Sequence, residues 1–261
     1  MKPTRIDQAL VERGQCASRE QAKRAILAGL VRINDQTAQK PSETVRPEDA
    51  ITLEAPPKFV SRGGFKLEHA IQEFRLGLGG CIALDVGAST GGFTDCLLQA
   101  GAARVFAVDV GSGQLAWKLR RDPRVVVMEK VNARHLRSEQ FPQPFAPFDL
   151  AAIDCSFISV TKMLRPVTPL VRSGGFLVVL VKPQFEAGKA EADRGAGVIT
   201  DPAIHERVLS EVRDFIQGVP GLEWKATTES PLLGPAGNKE FFVLLERTRA
   251  AHFGGTSSAS P

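Results

Sequence analysis

Apolar residues gather in short continuous runs along most of the chain, and turn residues or helically spaced segments separate one run from the next. The runs lie at residues 82–86, 104–109, 124–128, 148–153 and 175–181. Continuous apolar runs are typical of strands buried on both faces, and strands that alternate with helices are typical of a parallel sheet. The pattern therefore predicts an α/β fold, with a largely parallel sheet covered by helices on both sides.

The spacing between and after these runs predicts three helices and a last pair of strands. The helices are expected at residues 112–120, 135–140 and 202–217. Asp201 is suited to cap the third of them, because its carboxylate can accept from free backbone N–H groups. Strands at 222–229 and 240–245 flank a segment rich in turn residues, which predicts a hairpin. This hairpin is expected to form an antiparallel edge of the sheet.

A smaller unit is predicted before the first of these strands, and it begins with two helices. Apolar spacing predicts the first helix over residues 6–13. Ser18 is a good N-cap for the second helix, Gln21 stands where the partner of a capping box is expected, and Gly29 ends the helical spacing.

A strand at residues 30–34 follows, with a polar turn at Asp35-Gln36 and an apolar return through Val45 and Ile51. Pro56-Pro57 then predicts a stiff linker.

The chain is therefore expected to contain a small α+β domain at residues 1–57 and a larger α/β domain at residues 58–249. Residues 250–261 have low complexity and are predicted to be disordered.

A glycine-rich turn follows the strand at 82–86. Gly87, Gly91 and Gly92 allow positive φ and a close approach of the backbone to a ligand. Asp109 ends the next strand, where doubly wound folds place a carboxylate that accepts ribose hydroxyls. Neither the Walker loop nor the spacing for a pyrophosphate is present, which favours a ligand with a ribose and no phosphate. The glycines alone are equally compatible with a tight turn that binds nothing.

Two more strands of the predicted sheet end in ionisable residues. Asp154 follows the strand at 148–153, and Lys182 follows the strand at 175–181. Because the carboxyl ends of parallel strands meet at one rim of the sheet, these side chains are expected beside the glycine turn. A partly buried lysine needs an acidic neighbour to remain charged, and Asp154 is the candidate. An acid at this position could instead cap the next helix.

Composition narrows the function classes only slightly. The chain has 261 residues and a net charge of +4, which is weak support for a polyanionic partner. Its four cysteines lack the close pairs of zinc sites, so no metal is expected. No apolar run approaches the roughly 20 residues that cross a membrane, and a cytoplasmic protein is expected.

Basic side chains in the N-terminal unit could share one face and bind phosphates: Arg5, Arg19, Lys23, Arg24 and Arg32. A solvated helix face accounts for these charges equally well. This unit resembles the S4 domain. The resemblance rests on the order of Arg5-x-Asp7-x-x-Leu10, Gly14, Ser18-Arg19, Gly29-x-Val31 and Asp49-x-Ile51. S4 domains bind structured RNA, and the resemblance implies that role here.

The second domain resembles FtsJ-like methyltransferases, and with an S4 domain before it the chain is similar to the TlyA/hemolysin A family of ribosomal RNA 2′-O-methyltransferases. The motifs that carry the resemblance stand at residues 61–67, 87–93, 154–159, 182–186 and 230–240. The resemblance implies a Rossmann-like sheet of seven strands with the last strand antiparallel. It also implies methylation of a ribose 2′-hydroxyl, expected to be that of a cytidine, in ribosomal RNA or ribosomal subunits.

The same resemblance implies the residues of the site. The catalytic tetrad would be Lys66, Asp154, Lys182 and Glu240. S-adenosylmethionine would be bound by Asp85, Gly87, Ser89, Gly91, Gly92, Phe93, Asp109, Asn132 and Asp154. Lys182 is the expected acceptor of the hydroxyl proton, with Asp154 orienting it.

Other classes of protein remain as alternatives. A membrane-active hemolysin, an RNA-binding ribosome factor without catalytic activity, and a dehydrogenase each share one feature with the chain. The apolar runs are too short for a membrane protein, and the glycine spacing disagrees with that of a dehydrogenase. The sequence makes no prediction of the modified subunit or of the oligomeric state.

Overall fold

The computed structural model describes residues 3–188, residue 191 and residues 195–249. The chain divides into two units after Lys58. The predicted disordered tail at residues 250–261 lies outside the described residues. None of the described helices is long and apolar enough to cross a membrane.

The N-terminal unit has two helices and five short strands. The elements are β1 (Thr4–Arg5), α1 (Ile6–Glu12), α2 (Arg19–Leu27), β2 (Val31–Ile33), β3 (Gln36–Thr37), β4 (Thr44–Val45) and β5 (Ile51–Leu53). Strands β3, β2 and β5 form one antiparallel sheet, and β1 pairs with β4. The helices cover a small core that includes the fully buried Ile6, Leu10, Ala22 and Val31.

The cap of α2 agrees with the prediction in one bond and differs in the other. The Ser18 Oγ accepts from the Gln21 backbone N–H at 3.2 Å, as an N-cap does. The Gln21 side chain accepts from the N–H of Ala17 and not from that of Ser18, so a reciprocal capping box does not form.

The turn between β2 and β3 lies one residue earlier than expected. Ile33 pairs with Gln36, so the turn residues are Asn34 and Asp35 and the prediction of Asp35-Gln36 is wrong. Both have positive φ, at 47° and 67°. Two-residue hairpin turns favour this conformation because it matches the twist of the strands. The Asn34 side chain adds to the stability of the turn by accepting from the Ala50 N–H at 2.9 Å.

The second unit is built on a seven-stranded sheet, as predicted. Its strands are β6 (Ile82–Val86), β7 (Arg104–Val108), β8 (Val125–Met128), β9 (Phe148–Ile153), β10 (Val171–Val181), β11 (Leu222–Glu229) and β12 (Phe241–Arg247). They lie in the order β11-β12-β10-β9-β6-β7-β8. All neighbours are parallel except β12, which is antiparallel to both β10 and β11.

The final hairpin forms an edge of the sheet, as expected. Its second strand, β12, lies between β10 and β11, so β11 is the outermost strand. An antiparallel strand in this position begins at the rim where the parallel strands end. The residue just before β12 is Glu240, so the topology brings this residue to the same rim as Asp154 and Lys182.

Helices cover both faces of this sheet. They are α3 (Arg62–Glu73), α4 (Gly92–Gln99), α5 (Trp117–Arg120), α6 (Thr161–Val167), α7 (Pro183–Glu186) and α8 (Pro202–Gln217). Strand β10 explains the continuous apolar run: Val178 and Leu180 belong to the core on one face, and Leu177, Val179 and Val181 to the core on the other. Burial on both faces removes the need for polar alternation.

Three helix predictions differ in outcome. The helix at 202–217 is confirmed, and the Asp201 carboxylate accepts from the Ala203 N–H at 2.9 Å. The helix expected at 112–120 is limited to α5, because Gly111 and Gly113 donate their N–H groups to the carboxylates of Asp109 and Glu129. The helix expected near 135–140 is replaced by two 3₁₀ turns at Ala133–His135 and Ser138–Gln140.

Candidate active site

The glycine turn between β6 and α4 brings the chain close to the end of β9. A Cβ atom on Gly87, which has a φ of +87°, would lie 2.3 Å from the Asp154 carbonyl oxygen. A Cβ on Gly92 would lie 2.2 Å from the Ser61 Oγ. The backbone can take this path only because both positions lack side chains.

Gly91 differs from Gly87 and Gly92 in what its missing side chain leaves room for. Its φ is +95°, and a Cβ there would lie 2.3 Å and 2.8 Å from side-chain atoms of Leu119 and Leu115. The residue therefore allows the turn to pack against the segment that contains α5. Gly91 does not line either of the cavities beside the turn.

Asp109 ties the end of β7 to the glycine turn. Its two carboxylate oxygens accept from the backbone N–H groups of Ser89 at 2.8 Å and Gly111 at 2.7 Å. Each oxygen has a second lone pair, so the carboxylate can still accept from ligand hydroxyls. Asp109 lines a cavity of about 550 Å³ together with Asn132, and this cavity is called the outer cavity below.

A second cavity of about 520 Å³, called the inner cavity below, also borders the glycine turn. Gly92 and Phe93 line it. So do all four residues of the expected tetrad: Lys66, Asp154, Lys182 and Glu240. Four residues line both cavities and so stand at their junction: Gly87, Ser89, Asp154 and Ser156.

The tetrad forms two lysine–carboxylate ion pairs. Lys66 Nζ donates to Glu240 Oε2 at 2.5 Å, and Lys182 is ion-paired with Asp154 on the neighbouring strand. The side chains of Lys66, Lys182 and Glu240 are nearly buried, whereas Asp154 is about a quarter exposed. Buried charges need partners of this kind, because desolvation without a partner is costly.

Asp85, like Gly91, is an expected site residue that lies away from both cavities. It is fully buried inside the sheet, and it lines neither cavity. The Thr94 Oγ1 donates to it at 2.6 Å. Burial raises the pKa of Asp85 from its usual 3.8 to about 7, and the nearby charge of Asp154 contributes to the increase. Side chains alternate between the two faces of the sheet along β6, and that of Asp85 points into the core. It therefore does not reach either cavity.

Sequence reasoning missed Glu186, which joins the segment after β10 to the segment after β9. Its carboxylate accepts from the Ser159 Oγ at 2.6 Å and from the Val160 N–H at 2.8 Å. Burial raises its pKa. Glu186 is the last residue of the motif at 182–186, and its place in that motif could have identified it from the sequence.

Phe157 was also missed. The residue is 91% exposed and has a φ of 63°, which is unusual for an aromatic side chain. Its ring centroid lies 5.2 Å from that of Phe185, and it lines the outer cavity. An aromatic residue so close after Asp154 was the signal in the sequence.

The basic residues of the N-terminal unit form two groups. Arg5 and Arg19 both bind the buried carboxylate of Asp7, at 3.0 Å and 3.1 Å, and Arg5 in particular holds the pKa of Asp7 near 2. Lys23 follows Arg19 by one helical turn, and Arg24 is exposed on the same helix.

Arg32 is separate from these residues in its contacts, because on β2 it pairs with Glu54. The structure thus brings Arg5 and Arg19 together and gives Arg32 a partner of its own.

Comparison with known proteins matches the two units to two families. Residues 59–247 match the FtsJ-like methyltransferase family, and residues 4–51 match the S4 domain. The chain is 44% identical to the 16S/23S rRNA (cytidine-2′-O)-methyltransferase TlyA of Mycobacterium tuberculosis, over 92% of this chain and 89% of that protein. It is 39% identical to Hemolysin A of Brachyspira hyodysenteriae, over 92% of this chain and 98% of that protein.

A solved structure from Streptococcus thermophilus, described as a candidate hemolysin, is 42% identical with a TM-score of 0.71. The match covers 96% of this chain and 90% of that one.

Proposed function

This chain belongs to the FtsJ-like methyltransferase family, and on that premise we propose that it methylates ribosomal RNA at the ribose 2′-hydroxyl of a cytidine, with S-adenosylmethionine as methyl donor. The observation that carries the proposal is the meeting of two buried lysine–carboxylate pairs with the glycine turn at one rim of the sheet. Transfer to a hydroxyl requires both the orientation of the oxygen and the removal of its proton.

The residues beside the turn fit S-adenosylmethionine. The backbone at Gly87 leaves room where a Cβ would collide with Asp154. Asp109 lines the outer cavity, and each of its carboxylate oxygens has a lone pair beyond the one that accepts a backbone N–H. We assign the ribose of the donor to Asp109 and its adenine to the part of the outer cavity near Asn132. Gly87, Ser89, Gly92 and Phe93 would contact the remainder of the donor. Asp85 and Gly91 would stabilise the turn without contacting the donor.

When bound, the donor supplies a methyl group activated by a positively charged sulfur. Transfer to the ribose oxygen would leave the bonding electron pair on sulfur, and the hydroxyl proton would need an acceptor. Lys182, in its neutral form, accepts the proton of the hydroxyl and later releases it to solvent. Asp154 orients this amine through their ion pair. Lys66 and Glu240 line the same cavity and would fix the position of the ribose.

The chain has two features suited to RNA. Arg5, Arg19, Lys23, Arg24 and Arg32 of the S4 domain would contact phosphates, and each contact would release a counterion. The exposed ring of Phe157, next to Phe185, offers a surface on which an unpaired base can stack. A target nucleotide must leave its helix to reach the inner cavity, and stacking would stabilise it in that position.

The test uses purified protein, tritium-labelled S-adenosylmethionine, and ribosomal subunits from a strain without this gene. The expected result is label in ribosomal RNA that mass spectrometry assigns to a cytidine 2′-O-methyl group. Lys182→Ala is the control, with donor binding intact and little transfer. Methylation of a base, or donor binding without any transfer by the wild type, would contradict the proposal. The second result would favour a ribosome factor without catalytic activity.

A further inference from the structure

The hydroxyl of Ser156 stands beside the amine that would accept the proton. Lys182 Nζ donates to the Ser156 Oγ at 3.0 Å while it is also ion-paired with Asp154. Ser156 is exposed, and it is one of the four residues that line both cavities.

We propose that Ser156 is a positioning residue that aims Lys182 at the substrate hydroxyl. The inference rests on the proposed function, because it assigns a role within that reaction. An amine nitrogen has four tetrahedral directions, and in Lys182 one of these is the bond to Cε. The Ser156 Oγ accepts from one N–H, and the Asp154 carboxylate, which contacts the amine as an ion pair, occupies a further direction. The fourth direction is left for the inner cavity, which Lys182 lines.

This geometry decides where the lone pair points. When Lys182 is neutral, its two N–H groups would face the Ser156 hydroxyl and the Asp154 carboxylate, the two groups that already contact the amine in the folded protein. The lone pair then takes the fourth direction and faces the hydroxyl to be deprotonated. If one acceptor were lost, the amine could rotate about the Cε–Nζ bond, and the lone pair would face the hydroxyl for only part of the time.

The backbone around Ser156 is held on both sides, which a positioning role requires. Before it, the Asp154 N–H donates to the Val86 carbonyl oxygen at 2.9 Å. After it, Ser159 and Val160 are bound to Glu186, four residues beyond Lys182 in the chain. The same carboxylate therefore ties the segment that carries Ser156 to the segment that carries Lys182.

Three substitutions at this position separate the hydroxyl from its volume. Ser156→Ala removes the acceptor. Ser156→Cys keeps a side chain of similar size, but its sulfur is only a weak acceptor. Both are expected to lower the single-turnover rate at least about tenfold, the loss of one hydrogen bond to a charged group. The KM values for the donor and for ribosomal subunits should stay within about twofold. Ser156→Thr retains the hydroxyl and should keep most of the rate.

Ser173→Ala is the matched control, because Ser173 is an exposed serine on β10 that lines neither cavity. Its rate should stay close to that of the wild type. The inference is overturned if Ser156→Ala or Ser156→Cys turns over normally, if Ser156→Thr is as slow as Ser156→Ala, if the loss appears in KM, or if Ser173→Ala is equally slow. Transfer by the wild type in the same assay tests the proposed function separately, so failure of one inference is distinguishable from failure of the other.

Discussion

Lys66 and Glu240 lie 174 positions apart in the chain and form a direct hydrogen-bonded ion pair of 2.5 Å at the inner cavity. Their side chains are 8% and 1% exposed, so each charge depends on the other for its solvation. A helix at the start of the domain and an antiparallel strand at its end are thereby joined at the site.

The first prediction concerns this pair. Lys66→Met should lower the free energy of unfolding by about 3–5 kcal/mol, because it leaves the carboxylate of Glu240 buried without a partner. The double variant Lys66→Met/Glu240→Leu should recover most of that stability while methyl transfer stays lost. Urea unfolding followed by circular dichroism measures the stability. Losses that simply add in the double variant would show that the two charges do not depend on each other.

The second prediction concerns the proton acceptor. Lys182→Ala should lower the single-turnover rate by about 100-fold or more, the usual contribution of a general base. Lys182→Arg should fail nearly as badly, since a guanidinium cannot be deprotonated at working pH. Donor affinity, measured by calorimetry, should barely change in either variant. Near-normal turnover by the arginine variant would show that this position supplies only a charge.

The third prediction tests the close approach at the glycine turn. Gly87→Ala should abolish donor binding, because its Cβ would lie 2.3 Å from the Asp154 carbonyl oxygen and the turn would have to move. The control is Gly80→Ala, in the loop before β6. Gly80 has a similar φ of +76° but no atom within 4 Å of the added Cβ. This control should lose only about 1 kcal/mol of stability and keep its affinity. Equal affinity in the two variants would contradict the assignment.

The fourth prediction concerns the ribose of the donor. Asp109→Asn should weaken donor binding at least tenfold, since it replaces a charged acceptor that also holds the N–H groups of Ser89 and Gly111. Asp122→Asn is the control, because Asp122 bonds Arg124 and lines neither cavity. Isothermal titration calorimetry compares them, and the assignment is wrong if Asp109→Asn binds like Asp122→Asn.

The fifth prediction concerns the pH dependence of stability. The pKa of Asp85 is raised to about 7 in the folded protein, mainly by burial, from a usual 3.8. A raised pKa means that the folded state holds its proton longer than the unfolded state. Asp85 therefore contributes fully to the free energy of unfolding below about pH 4. That contribution falls as the pH rises towards 7, by an amount on the order of 3–4 kcal/mol.

Asp85→Asn cannot ionise and should lack this part of the pH dependence. Urea unfolding at several pH values between 4 and 8 should show that the variant gains stability relative to the wild type as pH rises. Parallel curves for the two proteins would mean that Asp85 titrates alike in the folded and unfolded states.

The sequence by itself determined those parts of the protein that depend on local pattern. The strands at 148–153 and 222–229 have the predicted bounds, because continuous or alternating apolar residues report burial directly. The caps at Ser18 and Asp201 were predictable for a similar reason, since each depends on side chains only two or three residues from the N–H groups that they bind. Family resemblance then indicated the four tetrad residues.

Only the tertiary structure decided which distant residues meet. Insertion of β12 inside the sheet brings Glu240 to Lys66, and no periodicity within either segment records that pairing. The contact of Ser156 with Lys182 likewise depends on the register of β9 and β10.

Local signals also failed where contacts with other segments decided the conformation. The residues before α5 leave the expected helix in part because the Gly113 N–H donates to the carboxylate of Glu129, 16 residues away. Asp85 is turned into the core by the alternation of its strand. Helical and strand periodicity reflect the burial of one segment at a time, whereas a site is formed by the pairing of several, and that pairing is set by the packing of the whole domain.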